Sequence, residues 1–189
     1  MALSGIALCS RALLKLGAET IASFEEGTAE AEVAANLYPT VRDALLSSHP
    51  WSFATGQQRL AKLTAEPVAD FTSAFQLPSD FLRALSAGTQ QRGEGTEYRI
   101  AEQRLFANTD DLILTYIFRP REKAFPPFFD QILIARLSAE FCIPLTESTS
   151  RAETLLRLAE NEFRRAKLID SQQDYPGRLQ DFSLIEARN

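Results

Sequence analysis

A chain of 189 residues, 45% of them apolar and 24% charged, is long enough to bury a sizeable core, and its many Leu, Ile and Phe residues exclude disorder throughout. The net charge of −5 at pH 7 argues against a domain that lives by gripping phosphates, which calls for an excess of Lys and Arg. A single histidine and two distant cysteines, Cys9 and Cys142, leave no donor set for zinc.

Ser4 is placed to cap a first helix that runs to about Leu16, with Ile6, Cys9, Leu13 and Leu16 on one stripe and Gly17 as its stop. The opening MALSGIALCSRALLKLG lacks a basic leader, and Arg11 and Lys15 interrupt its apolar part. The reading is a soluble, non-secreted chain, and no run reaches the ~20 apolar residues of a membrane span. A connector follows, tacked to the core by Ile21 and Phe24 and turned at Glu25-Glu26-Gly27.

Thr28 caps a second helix to about Ser48. Ala34, Tyr38, Val41 and Leu45 line its inner face, with Leu37 and Ala44 beside them. Pro39 should bend this helix and Pro50 should end it. Just past that end lies the stretch DALLSSHPWSFAT, with the lone His49 and the lone Trp51. His49 as a general base would need a nucleophile, and neither the neighbouring Ser47 and Ser48 nor any GxSxG elbow supplies one in the required setting. The reading is a structural corner of His49, Pro50, Trp51 and Phe53.

From Trp51 to Pro120 the pattern changes to short runs between turn residues. Expected strands are Phe53–Leu63, Ala74–Leu77, Leu82–Gly88, Glu97–Ala101, Arg104–Ala107 and Leu112–Phe118. The last is apolar on both faces, as a central strand covered on two sides would be. The polar stretch Thr89–Glu97, with Gln91, Arg92, Gly93, Glu94 and Gly95, reads as a hairpin loop. No helix follows its glycines, so it is not a phosphate-binding fingerprint. The acidic pairs Glu25-Glu26 and Asp110-Asp111 read as solvated turns.

Pro126 and Pro127 suit the first turn of a third helix, apolar nearly all round through Phe129, Ile132, Leu133, Leu137 and Phe141 and therefore central. Pro144 should end or kink it. Ser150-Arg151-Ala152-Glu153 reads as a capping box for a fourth helix with Leu155, Ala159, Phe163 and Ala166 inward. Arg157, Arg164, Arg165 and Lys167 lie off that stripe, as a solvated face or as a contact with DNA or a neighbouring subunit. Residues 171–189 carry the spaced anchors Tyr175, Leu179, Phe182, Leu184 and Ile185. Such a tail orders on a partner or packs back on its own domain.

The expected architecture is α+β: an antiparallel-type bundle of about four helices with an inserted small β-sheet and an extended C-terminal arm. Its parts are an N-terminal helical pair (1–50), a β region (51–125), a second helical pair completing the bundle (126–170) and the arm (171–189). No enzymatic signature, cofactor or metal motif is found.

The order of these elements carries a resemblance. A helix ending in ALLKLG precedes one with Tyr38 and Arg42, then the corner HPWSFA. After it come LAKL, FQLPSDFLRAL, the strand TYIFRP, and two last helices, ILIARLSAEFCIPLT and AENEFRRAKLID. From about Leu3 to Asp170, and most sharply in RDALLSSHPWSFA and LPSDFLR, this resembles the tail tubular protein A adaptors and other head-to-tail connectors of tailed phages and gene transfer agents. The glycine-rich loop and the tail are not matched. The resemblance implies a structural protein of the virion head–tail junction, assembled in the bacterial cytoplasm. It implies a ring, commonly of twelve subunits, under the portal protein, with the C-terminal arm on the portal. The sheet would face a downstream tail or stopper protein, and double-stranded DNA would pass through the lumen without sequence readout. A small nucleic-acid-binding regulatory module, using the four basic side chains of the fourth helix, is the competing reading; a hydrolase using His49 is the third.

Overall fold

The computed structural model describes residues 3–65, 67–88 and 95–173. Helix α1 spans Gly5–Leu16, with the Ser4 hydroxyl accepting from the Ala7 amide at 3.2 Å and Gly17 closing it at φ 72°. Helix α2 spans Ala29–Ser47 and is capped by Thr28, whose hydroxyl accepts from the Ala31 amide. Pro39 sits inside it on the exposed side, where the missing backbone bond leaves a carbonyl to solvent. The connector between the two is held by side chains. Ser10 bonds the Ile21 backbone, and the Glu26 carboxylate accepts from the Ala22 and Ser23 amides and the Thr28 hydroxyl.

Helix α3 spans Pro127–Thr146 and α4 spans Thr149–Asp170. As its composition requires, α3 is the buried centre. It packs against α1, α2 and α4, and Phe129, Ile132, Leu133, Leu137, Phe141 and Cys142 lie within the core. Both cysteines are buried as free thiols, and burial pushes Cys9 up to about 12.

Six strands follow the first helical pair: β1 (Thr55–Arg59), β2 (Ser73–Gln76), β3 (Phe81–Gly88), β4 (Tyr98–Ala101), β5 (Arg104–Ala107) and β6 (Ile113–Phe118). They form two antiparallel sheets of three strands, ordered β1-β6-β3 and β2-β5-β4. β6 is central, as its two apolar faces predict. Leu112, Leu114 and Tyr116 enter a core shared by the two sheets, while Ile117 enters the helical core. The β4–β5 turn places Glu102 and Gln103 at φ 51° and 58°, the left-handed pair that suits the twist of a tight hairpin.

The structure bears on four local expectations. The strand expected at Phe53–Leu63 is shorter, because Ser52–Ala54 forms a single 3-10 turn before β1. Residues 89–94 of the expected hairpin loop lie outside the described residues; of the strands flanking it, β3 pairs with β6 and β4 with β5, and one backbone bond, from the Thr96 amide to the Ala87 carbonyl at 3.2 Å, joins the two ends. Of the two outcomes expected at Pro144, an end is not what happens: α3 continues through it to Thr146 and stops at Glu147 in the left-handed region. The cap of α4 is Ser148, not Ser150. Ser148 is the first residue to return to extended backbone after Glu147, and its hydroxyl accepts from the Arg151 amide.

One buried carboxylate in α3 is under-satisfied. Asp130 is 9% exposed, and its Oδ1 has no hydrogen-bond partner. Burial pushes its carboxyl up to about 6, against the pull of Arg11. A carboxyl that binds its proton more tightly folded than unfolded costs stability at neutral pH, and that cost vanishes as pH falls through the folded value toward the unfolded one. Asp130→Asn should therefore stabilise the chain by roughly 1–3 kcal/mol at pH 8, with the advantage gone by about pH 4. Urea unfolding of both chains across that range checks it.

Candidate functional site

The corner after α2 is assembled from residues far apart in the chain. Trp51 is fully buried and packs edge-on against Phe129 and Phe163, with ring centroids at 5.4 and 5.8 Å. Its indole Nε1 donates to the Leu45 carbonyl in the last turn of α2, which also accepts from the amide and hydroxyl of Ser48. Phe53 is half-buried and meets Phe125, Phe128 and Phe129. Pro50 is exposed, so it turns the chain but fills nothing.

Beneath this turn lies Asp170, 4% exposed at the last residue of α4. Its carboxylate accepts from the Ser52 amide at 3.1 and 3.2 Å and from the Ser52 hydroxyl at 2.7 Å. His49 Nε2 stands 3.7 Å from the same carboxylate, and its ring meets Trp51 edge-on. Partial burial holds the imidazole below its ordinary range; Asp170 opposes that shift, while Lys167 and Arg83 reinforce it. Serine, histidine and aspartate are thus together, but the carboxylate is the hub. Ser52 gives its proton to Asp170, whereas a nucleophile must give it to the imidazole. Ser47 and Ser48 bond back to carbonyls of α2. The arrangement is a clamp between the end of α4 and the start of the 3-10 turn.

A second hub ties α2 to the strand exit. Asp43 takes Arg119 through two nitrogens, the shortest contact 2.6 Å, and Arg42 at 2.9 Å. Desolvation opposes its charge, but the two guanidiniums prevail and hold the carboxyl below its usual range. Glu122 receives the Tyr38 hydroxyl and Arg42 Nη1. Tyr38 and Arg42 were singled out in the sequence; Arg119, Glu122 and Asp170 were not. Asp170 carried a signal, since it continues the spacing of Phe163 and Ala166 on the inward stripe, where a carboxylate needs a partner.

Between α2 and α4, over α3, runs an apolar groove of about 430 Å³. Leu37, Val41, Ala44 and Leu45 form one wall, Ile132 the floor, and Ala159 and Phe163 the other wall. The rim carries Glu160 and the Arg136–Glu140 ion pair at 2.9 Å. This corrects half of the expected inner face of α2. Ala34 and Tyr38 are buried as expected, but Val41 and Leu45, with Leu37 beside them, are half-buried along the groove, and Leu46 is fully buried instead. Spacing along a helix shows a stripe but not which flank a neighbour covers, and here α4 lies against α3 and leaves that flank open.

The basic side chains of α4 do not converge. Arg157, Arg164 and Arg165 are exposed, Arg165 pairs with Glu162 at 3.3 Å, and Lys167 lies over the Phe163 ring. With five basic and four acidic residues, α4 has no continuous positive track. In the β region, Lys62 pairs with Asp110 and Arg59 with Asp111. Of the loop residues expected to face a partner, Gly95 is exposed with open space around it, and Gln91, Arg92, Gly93 and Glu94 lie outside the described residues. The tail anchors Tyr175, Leu179, Phe182, Leu184 and Ile185 also lie outside them. No described helix is long and apolar enough to cross a membrane, and the described residues hold no cluster of three or more potential metal ligands. No protein-family model matches the chain, and no curated protein is significantly similar to it.

Proposed function

We propose that this chain is a head-to-tail adaptor, a ring-forming structural protein that joins a portal to the next tail component. The observation that carries the reading is the shared strand β6. Leu114 and Tyr116 lock it into the sheet core and Ile117 into the helical core. A part that joins two partners must hold two surfaces in a fixed relation, and a strand common to both cores does so. The Asp43–Arg119 pairing braces the same joint from the helical side. The element order that resembles the connector proteins adds support. In this reading DNA passes a chain of net charge −5 and meets no basic stripe on α4, so it slides without being held. The helical end with its tail meets the portal and the sheets meet the tail component.

The test is co-purification with a portal protein from the same genome, followed by electron microscopy of the complex. A closed ring on the portal is expected. Removing residues 171–189 should weaken portal binding by roughly tenfold or more, since the tail supplies most of the apolar anchors offered to that partner. Equal binding by the shortened chain overturns the arm assignment, and no binding by the full chain overturns the adaptor reading. A salt-sensitive shift of duplex DNA by the isolated chain would instead favour a nucleic-acid module.

A further inference from the structure

We propose that in the free protein the groove between α2 and α4 is occupied by the chain's own residues 174–189. This inference concerns the isolated chain and does not rest on the adaptor reading.

The groove is apolar on both walls and its volume suits a few side chains. Its wall residue Phe163 stands seven residues before Asp170, about 10 Å back along α4 at 1.5 Å per residue. The clamp on Ser52 fixes where α4 ends, and Ser171, Gln172 and Gln173 continue it as a turn bonded back to Lys167, Ile169 and Asp170. Extended chain covers about 3.3 Å per residue, so some four residues beyond Gln173 bring the tail back level with Phe163. Arg178 and Leu179 then arrive at the groove, with Phe182, Leu184 and Ile185 still to follow. Ser48, where α2 stops, lines the groove as well. The rim residue Glu160 has no ion-pair partner among the described residues and offers Arg178 a counter-charge.

Tethering makes this occupant the favoured one. A short tail holds its anchors at an effective concentration of order mM, so even a weak contact is mostly made within one chain before a second copy competes at µM. In a complex, any partner that takes the tail must first draw it from the groove.

Limited trypsin digestion of the full chain tests this, with cleavage after Arg178 followed by mass spectrometry. Cleavage should be slow in the wild type and about tenfold or more faster in Ala44→Arg, which fills the groove from an exposed position on its wall. Phe182→Asp should release the site equally; it lies outside the helices, so it decides the matter if Ala44→Arg disturbs the bundle by circular dichroism. Rapid cleavage in the wild type overturns the proposal, as does protection that survives both substitutions. Protection lost on about a hundredfold dilution also overturns it and assigns the groove to the tail of a second copy.

Discussion

Trp51→Ala should cost about 3–5 kcal/mol, a large share of the roughly 5–15 kcal/mol that holds a domain together. The indole is fully buried and touches three helical elements at once: the Leu45 carbonyl of α2, Phe128 and Phe129 of α3, and Phe163 of α4. Removing it opens a cavity that those helices cannot close without shifting against one another. Urea unfolding measures the loss. Trp51→Phe separates its parts, because a ring remains but the indole bond to the Leu45 carbonyl is lost while those from Ser48 stay; about 1–2 kcal/mol less damage than alanine is expected. A cost below about 1 kcal/mol for Trp51→Ala would mean that the corner is peripheral to the fold. His49→Gln should be far milder, because the imidazole is only half-buried and is held 3.7 Å from Asp170.

Asp170→Ala comes next, at about 2–4 kcal/mol. The Ser52 amide and hydroxyl both lose their acceptor in a part-buried site, and the end of α4 loses its tie to the corner. A double-mutant cycle with Ser52→Ala should show coupling of about 1 kcal/mol or more, since each substitution removes the same bonds. Additive effects would show that the clamp is not the tie. Amide exchange at Ser52 gives an independent readout: the Asp170→Ala chain should exchange there much faster while the core of α3 stays protected.

The helices and their termini were legible in the chain because their causes are local. Ser4 and Thr28 are good caps, Gly17 is a left-handed stop, and a helix apolar on all sides, like α3, has to be central. The strand runs were legible for the same reason, and β6 announced its central place through apolar residues on both faces. Reading failed where two local signals competed. Ser148 and Ser150 are both able to cap, and the choice was made by the backbone of Glu147 just before them. The partition into two sheets was not legible, because every pairing except the β4–β5 hairpin joins residues tens of positions apart.

The same division applies to the candidate sites. The sequence by itself determined that His49 and Trp51 stand at the end of a helix, and that a proline turns the chain there. It also placed an apolar, spaced tail after the last helix. Only the tertiary structure decided what those features meet. Asp170 reaches Ser52 across 118 residues, and Arg119 reaches Asp43 across 76. The groove exists because α4 packs on α3 and leaves one flank of α2 open. Caps, stops and stripes follow from the free energy of a few neighbouring residues. Clamps and grooves follow from which faces of distant elements come to share one core, and no local preference encodes that choice.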